Sequence, residues 1–456
     1  MKSKSKEKSK PKKFVSMPVI HDHAAGIDVG SRSHFVAVGQ SLDDVREFGV
    51  YDKDLRECAG WMKSHGIETV AMESTGSYWQ NLYDVLIESG FEVSLVCGRQ
   101  TKNMETKTDV KDCRWIQFLH SVGLLHSSFL PDLDTEELRT LYRHRDFLLK
   151  QGAKYICKMQ KSLRLMNFRL DVVINDITGV SGQAIIKAII SGETDPERLA
   201  ALAHWGVKAS KEEIAKALSY NGRKDYMYEL SDSFDIYQSY VKKVEACDKK
   251  IEELMRSQIA KLGKPQTSPP PLEKPKKINK NSPKIPLREL SWQWNEEVDL
   301  MSIKGVSHST VLTINSEVGL SIHKFPTAKE WVSWLRFSPN NRKTGGKTIS
   351  SHIRKGSNRV ASALRHAAES IGKQKDAPLY PFFQRILHRK GRCAAIIATA
   401  HKLAVIIWNM LYKKEKYKPY DTTIIEAQIR NRQIKKINKL MKAFNVKPFE
   451  INLACA

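Results

Sequence analysis

The chain has 456 residues, room for two to four domains with ample core. Hydrophobic residues make up 41%, which excludes a largely disordered chain. Lys and Arg number 75 against 50 Asp and Glu, and the net charge of +25 selects a polyanionic partner, nucleic acid ahead of a membrane surface.

The start, "MKSKSKEKSKPKK", is lysine-rich and has no apolar centre, so it does not read as a secretory signal. Residues 1–22 are expected to be a basic disordered tail, either an electrostatic arm for nucleic acid or a solvated end. Residues 23 to about 130 read as α/β. Three β-type runs, "AAGIDVG", "HFVAVGQ" and "REFGVYD", precede the helical "DLRECAGWMKSHG". The strand "ETVAMES", the helix "SYWQNLYDVLIESG", the strand "FEVSLVC" and a helix from about Lys107 follow. That succession predicts a mixed sheet that begins as a meander.

Residues 131–262 read as helical. Leu230, Phe234, Tyr237, Val241, Val244, Ile251 and Met255 recur in a 4-3-4-3 rhythm, with polar Asp248 in the missing beat. This is the seam of a coiled coil, within the chain or between subunits, or the inner face of a core helix. Residues 263–290 are rich in Pro and Lys and are expected to be a linker or an exposed insertion. A mostly α-helical third domain runs over 291–447, before a short tail at 448–456. Its basic end, "IRNRQIKKINKLMKAFNVK", is either a phosphate-contacting helix or a solvated face. No run of 18 apolar residues predicts a membrane span. The seven cysteines are scattered without a CxxC pair, which argues against zinc and disulfides and fits a cytoplasmic protein.

Four acids stand out. Asp28 interrupts the apolar run "GIDVG", and Glu73 ends "ETVAMES". Asp109 and Asp112, three apart in "KTDVKDC", share one face of a helix. Carboxylates gathered at strand ends repel one another unless cations neutralise them, and hard oxygens suit Mg²⁺ or Mn²⁺. Two such ions stabilise both the attacking and leaving oxygens of a phosphodiester. The plain alternative is turn formers and caps. In the third domain, "SIKGVSHSTVLTINSEVG" has the helix–Gly turn–helix character of a hairpin that offers backbone N–H groups to a phosphate, or of an ordinary turn between core helices. The stretch "NNRKTGGKTISSHIRKGSNR" contains no acid, many cations, three glycines and several hydroxyls. Lys343, Gly345, Gly346, Lys347, Arg354, Lys355 and Arg359 are candidate phosphate contacts, and a hydroxyl there is a candidate nucleophile.

Three segments carry a family resemblance. They are "GIDVGSRSHFVAV", "AMESTGSYWQNLYDVLIESGFEVSLVCGRQTKNMETKTDVKDCRWI" and "IKGVSHSTVLTINSEVG…FPTAKEWVSWLRFSPNNRKTGGKTISSHIRKGSNRVASALRHAA". Together they resemble the DEDD-type insertion-sequence transposases of the IS-one-ten family, which include the bridge-RNA-guided recombinases. The resemblance implies a RuvC-like, RNase H-like fold for 23–130, with the DEDD set on Asp28, Glu73, Asp109 and Asp112. It implies Mg²⁺ or Mn²⁺, target and donor DNA, a structured guide RNA and a homo-oligomer, dimer or tetramer. It also implies a serine nucleophile supplied by another subunit. Here the family's Ser-Gly-Gly is Thr344-Gly345-Gly346, so the nucleophile is Thr344, or Ser350 or Ser351 takes its place, or the copy is impaired. The expected function is RNA-guided strand exchange through a covalent hydroxyl-linked phosphodiester. The alternatives are a metal-dependent nuclease or resolvase, and a non-catalytic nucleic-acid-binding protein.

Overall fold

In the computed structural model, residues 17–102, 108–263, 267–272, 274–419 and 423–444 are described. Most of the N-terminal tail and all of 448–456 lie outside them. The chain divides into two compact units, Met1–Leu130 and Pro131–Ala456.

In the first unit, β-branched and small apolar residues build five strands: β1 (Ala24–Val29), β2 (His34–Ala37), β3 (Val45–Phe48), β4 (Thr69–Glu73) and β5 (Glu92–Val96). Their order is β3-β2-β1-β4-β5. β1, β2 and β3 pair antiparallel as a meander, and β1–β4 and β4–β5 pair parallel. The parallel pairs need crossovers, which the helices Asp52–Ser64 and Gln80–Glu88 supply. Side chains alternate across the sheet. Ala25, Ile27 and Val29 of β1 and Val70 and Met72 of β4 pack with Leu55, Met62, Leu82 and Leu86 of those helices. Fully burying an Ile, Leu or Met side chain contributes roughly 1.5–3 kcal/mol, so this layer sets the register of β1 and β4. The opposite face is covered by the helix Asp109–Ser121, called here the cover helix. Residues 20 and 21, expected in the tail, are tied to this unit: both backbone N–H groups donate to Ser121 O, at 2.7 and 3.0 Å.

The second unit begins with two long helices, Leu133–Leu165 and Asp225–Lys261. They pack antiparallel. Lys261 meets Asp134, Gln258 meets Glu137, Asp248 meets Arg145 and Tyr240 meets Tyr155. The heptad seam therefore closes on a helix of the same chain. Its polar beat is a buried ion pair: Arg145 Nε donates to Asp248 Oδ1 at 2.5 Å, and both side chains are under 5% exposed. Short helices between 170 and 217 close one end of the pair around Met159, Leu163, Phe168, Ile185, Ile189, Leu230 and Phe234.

Most described residues of the Pro/Lys segment are exposed. It is a strap pinned along the unit. Thr267 bonds Glu297 and Trp292, and Lys276 bonds the carbonyls of Ile303 and Val306. Lys280 bonds Asp176, and the Lys284 backbone N–H donates to Asp248 Oδ2 at 3.1 Å. The prolines keep it extended while its polar groups find partners on helices that sequence spacing does not connect to it.

The third domain's helices pack around Trp294, Val311, Ile314, Trp331, Leu364, Leu403 and Ile407. Helix Arg392–Lys413, with mean hydropathy 1.6 over its apolar window, is long and apolar enough to cross a membrane by length and composition alone. Ala395, Ala400, Leu403, Ala404 and Ile407 bury one of its sides within this unit, which accounts for its composition.

Candidate active site

Each of the four acids is positioned by the first unit's backbone. β1 and β4 run parallel with Ile27 beside Met72, so Asp28 and Glu73 stand one step further along neighbouring strands. Ile27 and Met72 point into the core layer, so Asp28 and Glu73 point to the other face, that of the cover helix. Gly26, on the same face as Asp28, is the reason the cover helix lies so close. A Cβ at Gly26 would sit 2.1 Å from Gln117 N and 2.5 Å from Cys113 O. Its strand neighbour is the small Ala71. Gln117 Nε2 then donates to Ala24 O at 3.1 Å, and Thr69 and His120 are hydrogen-bonded at 2.9 Å. The helix thus runs from His120 over Thr69, past Gly26, and ends at its first turn with Asp109 and Asp112.

The electrostatics agree with that placement. Burial, with the Asp28 carboxylate nearby, pushes the Cys113 thiol up to about 12. Asp109 and Asp112 sit at the positive end of the helix, capped by Thr108, where negative charge is favoured. Glu73 is held on both oxygens: Thr75 Oγ1 donates to Oε1 at 3.1 Å and Thr101 Oγ1 to Oε2 at 2.7 Å. Gly98 gives it room, since a Cβ there would meet Oε1 at 2.5 Å. Asp28, Glu73 and Asp112 are half-buried and Asp109 is exposed. Carboxylate oxygens suit a divalent cation by donor type. Among the described residues, however, no three carboxylate, His or Cys side chains stand close enough to hold one. Gly26, Gly98 and Thr101 were not anticipated. The signal for Gly26 was a glycine two residues before an in-strand Asp; Thr101 had none.

The second unit carries the candidate nucleophile segment. It is a β-hairpin, β6 (Arg342–Thr344) and β7 (Lys347–Ser350). Gly345 and Gly346 form its two-residue turn with φ of +51° and +75°. Both values lie in the left-handed region, where glycine alone is unstrained. Thr344 pairs with Lys347 across the turn, and Lys343 with Thr348. Thr344, Gly345, Gly346, Lys343, Lys347, Ser351, Arg354 and Lys355 are exposed, and Ser350 is half-buried on β7. The Arg336 guanidinium bonds Lys355 O and fixes the returning strand. Arg359 is exposed and paired with two acids. Its Nη1 is 2.7 Å from Asp146 Oδ2 and its Nε 3.7 Å from Glu317 Oε1. Glu317 is buried and also grips Arg143 through two bonds of 2.9 and 2.7 Å. Arg359 is therefore an anchor between the hairpin segment and the helices behind it.

The helix–Gly turn–helix reading falls on Leu300–Ser302, a turn at Gly305 (φ +87°) and the helix His308–Glu317. A Cβ at Gly305 would lie 2.5 Å from Ile371 Cγ1, so the turn is pressed onto helix Arg359–Ile371.

Comparison with known proteins gives one family twice. Residues 25–168 match a transposase family of IS110 DEDD type, and residues 298–383 match the transposase IS116/IS110/IS902 family. The two matches together cover just over half of the chain. The transposase for insertion sequence element IS1111A of Coxiella burnetii is 28% identical over 123 residues, 26% of this chain and 34% of that protein. A probable family 20 transposase of Pseudomonas aeruginosa is 24% identical over 124 residues, 26% of this chain and 36% of that protein. The chain thus spans about a third of the length of these curated relatives.

Proposed function

The chain belongs to the IS110 family of transposases, and on that footing we propose that it is a metal-dependent DNA recombinase of an insertion sequence, guided by a structured RNA. The observation that carries this reading is the placement of Asp28 and Glu73 side by side on β1 and β4, facing the helix whose first turn bears Asp109 and Asp112. The strand order, with a three-stranded meander joined to two parallel strands, supports an RNase H-like, RuvC-like catalytic domain.

Asp28, Glu73, Asp109 and Asp112 would hold Mg²⁺ or Mn²⁺. When bound, the ions supply charge neutralisation at a scissile phosphodiester. Thr75 and Thr101 keep the Glu73 carboxylate oriented. Lys343 and Lys347 flank Thr344 and draw a phosphate to it, while Gly345 and Gly346 leave the approach open. The Thr344 oxygen, losing its proton, attacks phosphorus. The phosphorus–oxygen bond to the departing deoxyribose breaks, and that oxygen leaves as a hydroxyl after gaining a proton. The resulting phosphothreonyl ester conserves the bond for rejoining to a second DNA. The protein would act as a homo-oligomer in the cytoplasm, on nucleoid DNA, with sequence choice delegated to base pairing by the RNA.

The test is to trap the protein on DNA and map the linked residue by mass spectrometry. Thr344→Ala should abolish the adduct, and Thr344→Ser, a less hindered hydroxyl, should retain or raise it. Linkage at Ser350 or Ser351 moves the role to that residue. Metal-dependent cleavage with no adduct supports the hydrolytic nuclease or resolvase instead.

A further inference from the structure

A cavity of about 630 Å³ lies between the Pro/Lys strap and the Ile303–Ser307 turn. Lys274, Lys276 and Lys277 of the strap line one wall and Lys304 and Ser307 of the turn the other. Among the described residues, Asp376 is the one carboxylate in the lining, and Lys304 pairs with it at 3.0 Å. Three lysines thus face the space, and among the described lining residues no carboxylate is within ion-pair distance of them. Lys276 is the fixed member: its ammonium donates to Ile303 O at 2.8 Å and Val306 O at 3.2 Å. Those carbonyls orient it but do not cancel its charge. A smaller adjoining space, of about 260 Å³, shares Lys276 and adds Arg288 and His308, the first residue of the helix His308–Glu317. Asp299 answers Arg288 at 2.6 Å. The Nδ1 of His308 is buried without a hydrogen-bond partner. Cations held at close quarters by extended, proline-stiffened backbone repel one another, which costs stability unless an anion joins them. The volume exceeds that of one phosphate and admits a phosphate with its sugar. An apolar guest would leave the ammonium groups desolvated and unanswered.

We propose that this cavity seats a backbone phosphodiester of a bound nucleic acid, with the strap lysines closing over a phosphate that lies against the turn. The site is separate from the carboxylates and the hairpin, and its role is to position the polymer. It rests on the reading of the chain as an enzyme of nucleic acids, and it makes the strap a binding element rather than a spacer. DNA and RNA share the chemistry, so the experiment must distinguish them.

The full-length protein is titrated with fluorescent duplex DNA and, separately, with single-stranded RNA, each of arbitrary sequence, over a range of salt. Lys274 and Lys277 are exposed, and Lys274→Ala/Lys277→Ala should fold normally. Losing two phosphate contacts should lower the slope of log affinity against log salt by about 1.8 for duplex DNA, or about 1.4 for single-stranded RNA. The polymer that shows the change is the occupant. Lys274→Arg/Lys277→Arg should retain the wild-type slope. An unchanged slope for both polymers in the alanine variant, with the wild type binding normally, overturns this site and leaves the recombinase reading standing. A wild type that binds neither polymer overturns both.

Discussion

Asp28 sits in a strand because its neighbours fix which way it points. Ala25, Ile27 and Val29 occupy the core layer, so the alternate positions Gly26 and Asp28 must face the cover helix. Gly26 brings that helix to contact distance, and Asp28 then lies where the sheet ends and the helix begins. Replacing Asp28 or Asp109 by Asn, or Glu73 by Gln, keeps shape and removes a charged ligand. Each variant should lose strand exchange by orders of magnitude while retaining fold and nucleic-acid binding, since binding rests on the basic surfaces. Recombination assays paired with circular dichroism check this, and near-normal recombination by Glu73→Gln would refute the site. His120 provides a residue-level pH effect. Burial, with His21 stacked on it, lowers its pKa from 6.5 to about 4. The folded state therefore binds fewer protons than the unfolded state in that interval. The stability this group contributes is intact above pH 6.5 and falls as pH drops toward 4, by about 3 kcal/mol at most. Urea midpoints for wild type and His120→Gln should diverge between pH 7.5 and 5, with the variant losing less.

At the scale of elements, the long-helix pair shows what a sequence can and cannot say. The 4-3-4-3 rhythm from Leu230 to Met255 correctly marked one buried face, because heptad spacing is local. Its partner, Leu133–Leu165, was not legible, since antiparallel pairing across a hundred residues leaves no mark in either helix alone. Nor was the meaning of Asp248. It pairs with Arg145 and holds the Lys284 backbone, joining both helices to the strap. The strap itself read as a linker because Pro and Lys are typical of solvated chain; its order comes from partners distant in sequence. The strands and the in-strand acids were legible because period-two alternation exposes a misplaced carboxylate. Thr101 and Gly98 were not, because nothing near them in sequence refers to Glu73. The buried pair makes a stability prediction. Asp248→Ala leaves Arg145 charged and buried and should cost about 3–5 kcal/mol, whereas Arg145→Met/Asp248→Leu, which removes both charges, should recover most of it. Urea denaturation of the three proteins measures the difference, and equal losses in the single and double variants would show that the cost is packing and not charge.

For the whole molecule, the net charge of +25 fits a protein that lives against a polyanion. Charge alone gives affinity without sequence preference, because phosphates are the same everywhere. The exposed hairpin has the same character: Arg342, Lys343 and Lys347 present cations and the turn presents glycines, with no Asn or Gln at its tip to read a base edge. A recombinase built from such surfaces needs its target chosen by something else, and under the proposed function a guide RNA would make that choice by pairing. Purified with its RNA, the protein should bind target and donor sites selectively. After complete ribonuclease treatment it should bind all duplexes alike, weakly and with steep salt dependence. Footprinting on a target-bearing plasmid before and after the treatment reads this directly, and sequencing the copurified RNA identifies the guide. Site selectivity that survives removal of the RNA would mean that the protein reads DNA itself, and would shift the reading toward a resolvase.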